Sequence, residues 1–230
     1  MEIKRTDPEY IERFEHFAFD EVVNEKAAFL EEKTRYTAIL AALMGLSAVD
    51  AYKELLEKAL KSGVTPVMAK EIAYQATDYL GYGRALPFIK ATNEIFEKEG
   101  IELPLPSQKT TDYENRLEKG IAVQAEIFGE KMKEAWKAGH INRWLADNCF
   151  GDYYTRGGLN VKEREMITFC FLMAQGGCEP QLIAHAKGNI NVGNGSDFLL
   201  CVVSQCLPYI GYPRSLNAVS CINKAAEDLN

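Results

Sequence analysis

One short segment in the second half of the chain carries residue types that can do chemistry together. Cys178 follows a pair of glycines and precedes Glu179 and Pro180, a pattern that predicts the start of a helix. Backbone N–H groups and the helix dipole at such an end favour a thiolate, which is both a nucleophile and a redox group. Cys178 is therefore the first candidate for a catalytic residue.

A histidine follows on the same predicted helix. His185 lies seven residues after Cys178, almost on the same face, but seven residues rise about 10 Å along a helix. A direct hydrogen bond between thiol and imidazole would therefore require Cys178 to fold back outside the helix. Helical spacing instead places Gln181 beside His185. We expect Glu165, on the preceding helix, to pack across and orient the imidazole for acid–base work.

Each of these residues also has an ordinary structural explanation. A free cysteine such as Cys178 is usually a small buried hydrophobe. His185, between two alanines, is compatible with a core histidine satisfied by Gln181 or Glu165. Glu165 and Glu179 can simply complement helix dipoles, since carboxylates near helix N-termini are favourable.

Composition excludes several classes of function. The 230 residues are 47% hydrophobic, with 26 Lys plus Arg against 33 Asp plus Glu, and the charges are mixed along the chain. This describes a globular protein without a basic stripe, so nucleic acid and anionic membranes are not expected partners. Residues 1–7 lack the apolar run of a signal peptide, and no stretch is long and apolar enough for a membrane span, so we expect a cytoplasmic protein.

The cysteines and histidines do not indicate a metal site. All six cysteines lie after residue 148, none in C-x2-C spacing, and the three histidines are scattered. A disulfide-stapled fold would not need that asymmetry, so reduced thiols are expected. We predict neither a metal site nor a cofactor.

The chain contains two related halves at an offset of 130 residues. Residues 75–86 align without gaps on residues 205–216, with six of twelve positions identical. We therefore predict a first unit at residues 1–99 and a second unit at residues 112–230. Residues 100–111 between them are rich in proline and polar side chains, which predicts a linker.

Apolar spacing is helical in both units, and no stretch alternates with period two, so the fold class is all-α. Asp7-Pro8 and Thr65-Pro66 are typical helix starts. Two or three helices are expected within residues 112–150. The other predicted helices span residues 31–45, 47–62, 66–80 and 84–98 in the first unit, and 161–175, 180–192, 196–208 and 213–227 in the second.

The repeat also allows the candidate site to be compared with the equivalent positions of the first unit. At the offset of 130, the three candidate residues of the second unit correspond to Ala48, Leu55 and Arg35. The first unit is therefore predicted to lack a site and to serve as a packing partner for the second.

Taken together, the motifs of the second unit resemble a known family. The Arg164-Glu165 pair, the glycine turn before Cys178, His185, the Gly193 cap and residues 208–213 resemble the carboxymuconolactone decarboxylase family. The resemblance spans roughly residues 112–227, and the first unit shares it only in its later helices. It implies two tandem alkylhydroperoxidase-D-like helical units packed together.

The resemblance implies one chemistry based on a thiol. Peroxidase-type members use a C-x2-C pair, a histidine and an upstream glutamate, and the resemblance places Cys178, His185 and Glu165 at the first cysteine, the histidine and the glutamate. Gln181 stands where the second cysteine would be. The implied function is a thiol-dependent, peroxiredoxin-like antioxidant peroxidase whose oxidised thiol is resolved by an external thiol reductant or another cysteine.

Two alternatives stay open. Decarboxylase-type members have no cysteine pair, so a cofactor-free decarboxylase or lactone isomerase would use His185 as acid or base. A non-catalytic protein that binds a small molecule or acts as a scaffold is the other. In each case the candidates for binding the small molecule or supporting the site residues are Glu179, Gln181 and Tyr209.

The resemblance also implies partners. A small-molecule substrate is expected in either enzyme hypothesis. Because the family commonly assembles these units into rings of six, a chain of two units is expected to form a homo-oligomer, a trimer.

Overall fold

The computed structural model describes residues 3–229, and every regular element in that part of the chain is helical. The all-α prediction is confirmed. No helix within residues 3–229 has the length and apolar character needed to cross a membrane. The helices are α1 (Ile3–Thr6), α2 (Pro8–His16), α3 (Val22–Asn24), α4 (Glu32–Gly45), α5 (Val49–Lys61), α6 (Pro66–Leu80), α7 (Tyr82–Lys98), α8 (Arg116–Phe128), α9 (Met132–Ala135), α10 (His140–Trp144), α11 (Val161–Gln175), α12 (Glu179–Asn191), α13 (Ser196–Ile210) and α14 (Tyr212–Glu227). Two π-helical segments, Phe17–Glu21 and Leu145–Tyr154, lie between them.

The eight main helices begin and end within two residues of their predicted bounds. One of the two-residue differences is at Pro208, where α13 was predicted to stop. The helix continues to Ile210 and ends at Gly211, whose φ of 78° suits a residue without a side chain. Helices α4–α7 and α11–α14 follow the offset of 130 closely, since α5 begins at Val49 and α12 at Glu179. The division into two copied units stays a prediction.

The two predicted helix caps differ. Thr65 accepts a hydrogen bond from the backbone N–H of Met68 at 3.2 Å, as a capping threonine does. Asp7 precedes Pro8 but makes no side-chain cap. Its carboxylate instead accepts a hydrogen bond from the Thr6 hydroxyl at 2.6 Å, so the expected cap at Asp7 is wrong.

Helices α4 and α11 form the centre of the molecule and pack against each other. Nearly all of their side chains are buried. The two backbones approach most closely at Gly45, where an added Cβ would lie 2.7 Å from both the Ala174 Cβ and the Phe171 carbonyl oxygen. Helix α4 also packs on α13 and α11 on α6, so the two predicted units share one core.

Two buried glutamines, 130 residues apart, tie the units together. Gln75 on α6 accepts a hydrogen bond from the Arg164 guanidinium at 2.8 Å. Gln205 on α13 accepts one from the Arg35 guanidinium at 2.7 Å. Each central helix is therefore held by a polar side chain of the other unit.

Substitution of Gly45 by alanine should destabilise the fold. The added methyl group has no space between α4 and α11, and overpacking of this kind costs about 1–3 kcal/mol. Urea denaturation measures the loss. Gly83→Ala is the matched control, because a Cβ at Gly83 meets nothing within 4 Å. Equal stability of the two variants would contradict the close approach at Gly45.

Candidate functional site

A buried imidazole–carboxylate pair joins α11 and α12. His185 Nδ1 lies 2.9 Å from Glu165 Oε2, and both residues are buried. The hydrogen-bond network assigns the proton to Nδ1, because an ionised carboxylate only accepts. Among residues 3–229 no side chain or backbone group hydrogen-bonds to Nε2, so this nitrogen keeps its lone pair available to a ligand. The expected packing of Glu165 across His185 is what the structure has.

The second carboxylate oxygen of Glu165 is held by hydroxyl groups. Tyr154 donates to Glu165 Oε1 at 2.7 Å and also contacts the Thr168 hydroxyl at 2.7 Å. Thr168 in turn accepts from the Gln75 amide at 2.9 Å. Burial and the nearby Glu165 raise the pKa of Tyr154 well above its usual value, so its hydroxyl remains a donor. The carboxylate is therefore fixed in position and fully hydrogen-bonded.

Aromatic rings hold the two sides of the imidazole. The rings of Tyr79 and Phe128 meet His185 edge-on, with centroid separations of 5.4 and 5.3 Å. The Tyr79 hydroxyl continues the network through a contact with the Tyr154 hydroxyl at 3.0 Å. Tyr79 belongs to the first unit, so that unit contributes to the site as well as packing against it.

Tight packing around Gly188 and Asn189 fixes the positions of His185 and Glu165 relative to each other. Gly188 lies one turn after His185, and an added Cβ there would come within 2.5 Å of Glu165 Oε2 and 2.9 Å of Phe128. Asn189 donates hydrogen bonds from its amide to the backbone carbonyls of both Glu165 and His185, at 2.9 and 2.8 Å. These contacts fix α12 relative to α11 and thereby fix the ring.

His185 opens onto a cleft of about 670 Å³ between the units. Cys178 and Gln181 line it together with His185, and Asp78 and Tyr79 line it from the first unit. Most of the remaining wall is apolar, supplied by Phe128, Met132, Leu145, Phe150 and Leu172, with Lys131 at the exposed side. A cleft of this size and lining suits a small organic molecule.

Cys178 occupies the N-cap of α12, as predicted, but its thiol does not favour ionisation. It donates a hydrogen bond to the Leu172 carbonyl oxygen at 3.5 Å and accepts one from the Gln175 amide at 3.5 Å. Burial raises the pKa of the thiol, the Gln175 hydrogen bond lowers it, and the nearby Glu179 carboxylate raises it further. Burial and the adjacent negative charge therefore disfavour the expected thiolate.

The other two candidates on α12 form no hydrogen bond with the imidazole within residues 3–229. Glu179 accepts a hydrogen bond from the Asn217 amide at 3.1 Å, on the side of α14. Gln181 lines the cleft and is exposed, but in the described part of the chain no hydrogen bond joins it to His185. Glu165, Tyr79 and Phe128 occupy the space around the ring instead.

Tyr209 lies away from His185, contrary to expectation. It lines a separate cleft of the first unit with Leu55 and Lys58, and its ring meets Phe14 at a centroid distance of 5.8 Å. The reason is that each tyrosine packs against the other unit. Tyr209 of α13 lies against the first unit, and Tyr79 of α6 lies against the second. The alignment of Tyr79 with Tyr209 was the sequence signal that could have identified Tyr79.

Asp78 is a site residue that sequence reasoning missed. It lines the His185 cleft, and its Oδ2 atom is buried with no hydrogen-bond partner within residues 3–229. Burial, with a smaller contribution from the negative charge of Asp152, raises the pKa of Asp78 to about 8. Asp78 therefore brings a protonated carboxyl group to the cleft at neutral pH.

The arrangement can bind a small molecule and move protons. It contains a base nitrogen at His185, an uncharged acid at Asp78 and a protonated thiol at Cys178, all at one cleft. In residues 3–229, no cluster of three His, Cys, Asp or Glu side chains is arranged to hold a metal ion.

Residues 140–224 match the model described as the carboxymuconolactone decarboxylase family. The matched region runs from α10 into α14, so it includes Glu165, Cys178 and His185. No curated protein matches the chain. The predicted resemblance is confirmed over residues 140–224, and the two-copy relationship stays a prediction.

Loss of the Tyr154 hydroxyl should cost stability. Tyr154→Phe leaves Glu165 Oε1 and the Thr168 hydroxyl without their buried partner, which costs about 1–3 kcal/mol. Urea denaturation at neutral pH measures the change. Tyr113→Phe is the control, because Tyr113 is 86% exposed. If both substitutions are neutral, the network does not stabilise the fold.

Asp78 should make stability fall as pH rises. Because its pKa is about 8 in the folded protein against 3.8 for an ordinary aspartate, the folded state binds more protons between about pH 4 and 8. Stability is therefore lost across that window. Asp78→Asn should remove this part of the pH dependence, measured as the difference in unfolding free energy from wild type. Asp50→Asn, at an exposed position, should leave the profile unchanged. A wild-type profile in Asp78→Asn would show that Asp78 ionises normally.

Proposed function

Because residues 140–224 match the model of the carboxymuconolactone decarboxylase family, we propose that the protein is a cofactor-free enzyme that decarboxylates or isomerises a small organic acid. His185 is the general acid and base of this proposal, and Glu165 positions it. The supporting observation is the 2.9 Å contact between His185 Nδ1 and Glu165 Oε2, which leaves Nε2 free beside an apolar cleft.

The buried pair explains how the proton would move. With Nδ1–H directed at Glu165, neutral His185 presents Nε2 as the base. Nε2 removes a proton from carbon next to the substrate carbonyl, and the resulting imidazolium is stabilised by the carboxylate of Glu165. Returning that proton to another carbon completes an isomerisation. In a decarboxylation, His185 first takes a proton from solvent on Nε2; the substrate carboxylate then leaves as CO2, its bonding electrons stay on carbon, and Nε2–H protonates that carbon and returns His185 to the neutral form.

The cleft supports an organic acid as substrate. Phe128, Phe150 and Leu172 offer an apolar surface for the substrate body. Lys131 provides a cation for a carboxylate at the exposed side. The protonated carboxyl of Asp78 is a hydrogen-bond donor for developing negative charge on a carbonyl oxygen, since burial keeps it uncharged at neutral pH.

A thiol-dependent peroxidase is the second candidate, because Cys178 lines the same cleft as His185. The thiolate would attack the peroxide, release an alcohol or water and become a sulfenic acid, which an external thiol would reduce. The raised pKa of Cys178 and the bond from its S–H to Leu172 count against this reaction. Gln181 at the position of the family's second cysteine also counts against it.

Three variants separate these functions. We expect His185→Gln to lower turnover of unsaturated lactone acids and β-keto acids by about 10²–10⁴-fold, because it removes the proton-transfer group. Cys178→Ser should retain that turnover, and Glu165→Gln should lower it with a changed pH profile. Product formation is followed by NMR in D2O, which also reports the carbon that receives deuterium.

Hydroperoxide reduction with dithiothreitol is assayed in parallel on the same variants. Peroxide turnover that is lost in Cys178→Ser would replace the acid–base proposal with the peroxidase. Binding of these acids without turnover, unchanged in a folded His185→Gln variant, would instead indicate a non-catalytic binding protein.

A further inference from the structure

A second cavity lies where the linker covers the first unit. It encloses about 450 Å³ between α6, α7 and residues 103–108, and it shares no lining residue with the His185 cleft. Part of its lining is apolar, formed by Val67, Tyr74 and residues 103–106. The charged and amide side chains of its lining are Lys70, Glu71, Asn93 and Arg156. We name this space the linker cavity.

Lys70 brings a buried ammonium group to the linker cavity. The residue is only 6% exposed, and its Nζ donates to the neutral amide oxygen of Asn93. The rings of Tyr74 and Phe96 lie 5.7 and 5.8 Å from Nζ. Within residues 3–229 no carboxylate forms an ion pair with it. Burial lowers the pKa of Lys70, as expected for an ammonium without a negative partner.

The nearest carboxylate is already occupied. Glu71 is 1% exposed and accepts hydrogen bonds from the guanidinium groups of Arg156 and Arg164, at 2.9 and 3.0 Å. Arg156 uses Nε and Nη2 for this contact, and its Nη1 forms no hydrogen bond in the described part of the chain. Two guanidinium groups therefore share the Glu71 carboxylate, and the Lys70 ammonium adds a third cation, so the linker cavity keeps an excess of positive charge. Buried charge of this kind is unfavourable unless an anion accompanies it.

The packing of α6 does not by itself require charged side chains at Lys70 and Glu71. At the offset of 130, Lys70 and Glu71 correspond to Leu200 and Cys201 on α13, and Leu200 packs against the core. The equivalent helix thus accepts an apolar residue at this position. Lys70 therefore places a charge at a position where the equivalent helix packs with a leucine.

We propose that the linker cavity binds a small organic monocarboxylate. Its carboxylate lies against Lys70 Nζ and Arg156 Nη1, and its apolar body packs on Val67, Tyr74 and residues 103–106. The excess positive charge suits an anion, and the apolar lining favours an organic acid over inorganic phosphate. The volume lies within the range of small-molecule sites. This site is separate from the proposed catalytic cleft.

Isothermal titration of the full-length chain with phenylacetate and with hexanoate tests this proposal. We expect saturable binding of at least one acid, no binding of neutral phenylacetamide, and weaker binding of inorganic phosphate. Lys70→Met should weaken the acid by about 10- to 100-fold, since a hydrogen bond to a charged group is lost. Lys90→Met removes an exposed lysine on α7 outside both cavities and should leave affinity unchanged.

Further variants separate the two cavities and guard against misfolding. His185→Gln should retain binding, which distinguishes the linker cavity from the catalytic cleft and makes the result independent of any turnover. Lys70→Gln, which keeps a polar contact to Asn93 without the charge, should weaken binding as Lys70→Met does. Without added acid, Lys70→Met should melt no lower than wild type, because it removes an uncompensated buried charge.

Several results would overturn the proposal. They are the absence of saturable binding by both acids, equal or tighter binding of phosphate or phenylacetamide, and affinity that is unaffected by Lys70→Met and Lys70→Gln. A ligand-free Lys70→Met variant that melts below wild type would assign Lys70 a structural role instead.

Discussion

The central constraint on this structure is the burial of one carboxylate, that of Glu165, which is completely inaccessible to solvent. A buried charge is tolerated only when its hydrogen bonds are satisfied, and Glu165 obtains them from His185 and Tyr154. Tyr154 then needs Thr168, and Thr168 accepts from Gln75 of the first unit. The network continues through Arg164 to Glu71, beside the linker cavity. The requirement to satisfy one charge therefore organises polar groups of both units and holds the imidazole.

The two central helices, α4 and α11, occupy equivalent positions in the repeat but carry residues of opposite charge. Arg35 stands on α4 where Glu165 stands on α11, and its guanidinium donates to the Ala18 carbonyl oxygen and to Gln205. The corresponding cleft contains Leu55 in place of histidine. Opposite charges at equivalent positions recruit different partners: Arg35 binds a carbonyl and an amide, whereas Glu165 holds the buried imidazole of His185.

Cys178 illustrates why local rules can mislead about a site. A cysteine at a helix N-terminus is expected to ionise readily, yet partial burial and the neighbouring Glu179 raise the pKa of this thiol. By contrast, the pairing of Glu165 with His185 was anticipated correctly, because it depends on the packing of two consecutive helices. Pairings between consecutive elements are the tertiary contacts that sequence reasoning reaches most easily.

The amino-acid sequence by itself determined the all-helical class, the bounds of the main helices, the offset between the halves and the candidate pair of His185 and Glu165, because these follow from periodicity, caps and neighbouring helices. Only the tertiary structure decided that Asp78 and Tyr79 enter the cleft while Tyr209 lies elsewhere. It also decided that burial raises the pKa of Cys178 and that Lys70 is buried with no carboxylate paired to it among residues 3–229. These properties depend on which groups of distant segments meet and how much water remains between them, which local sequence patterns do not encode.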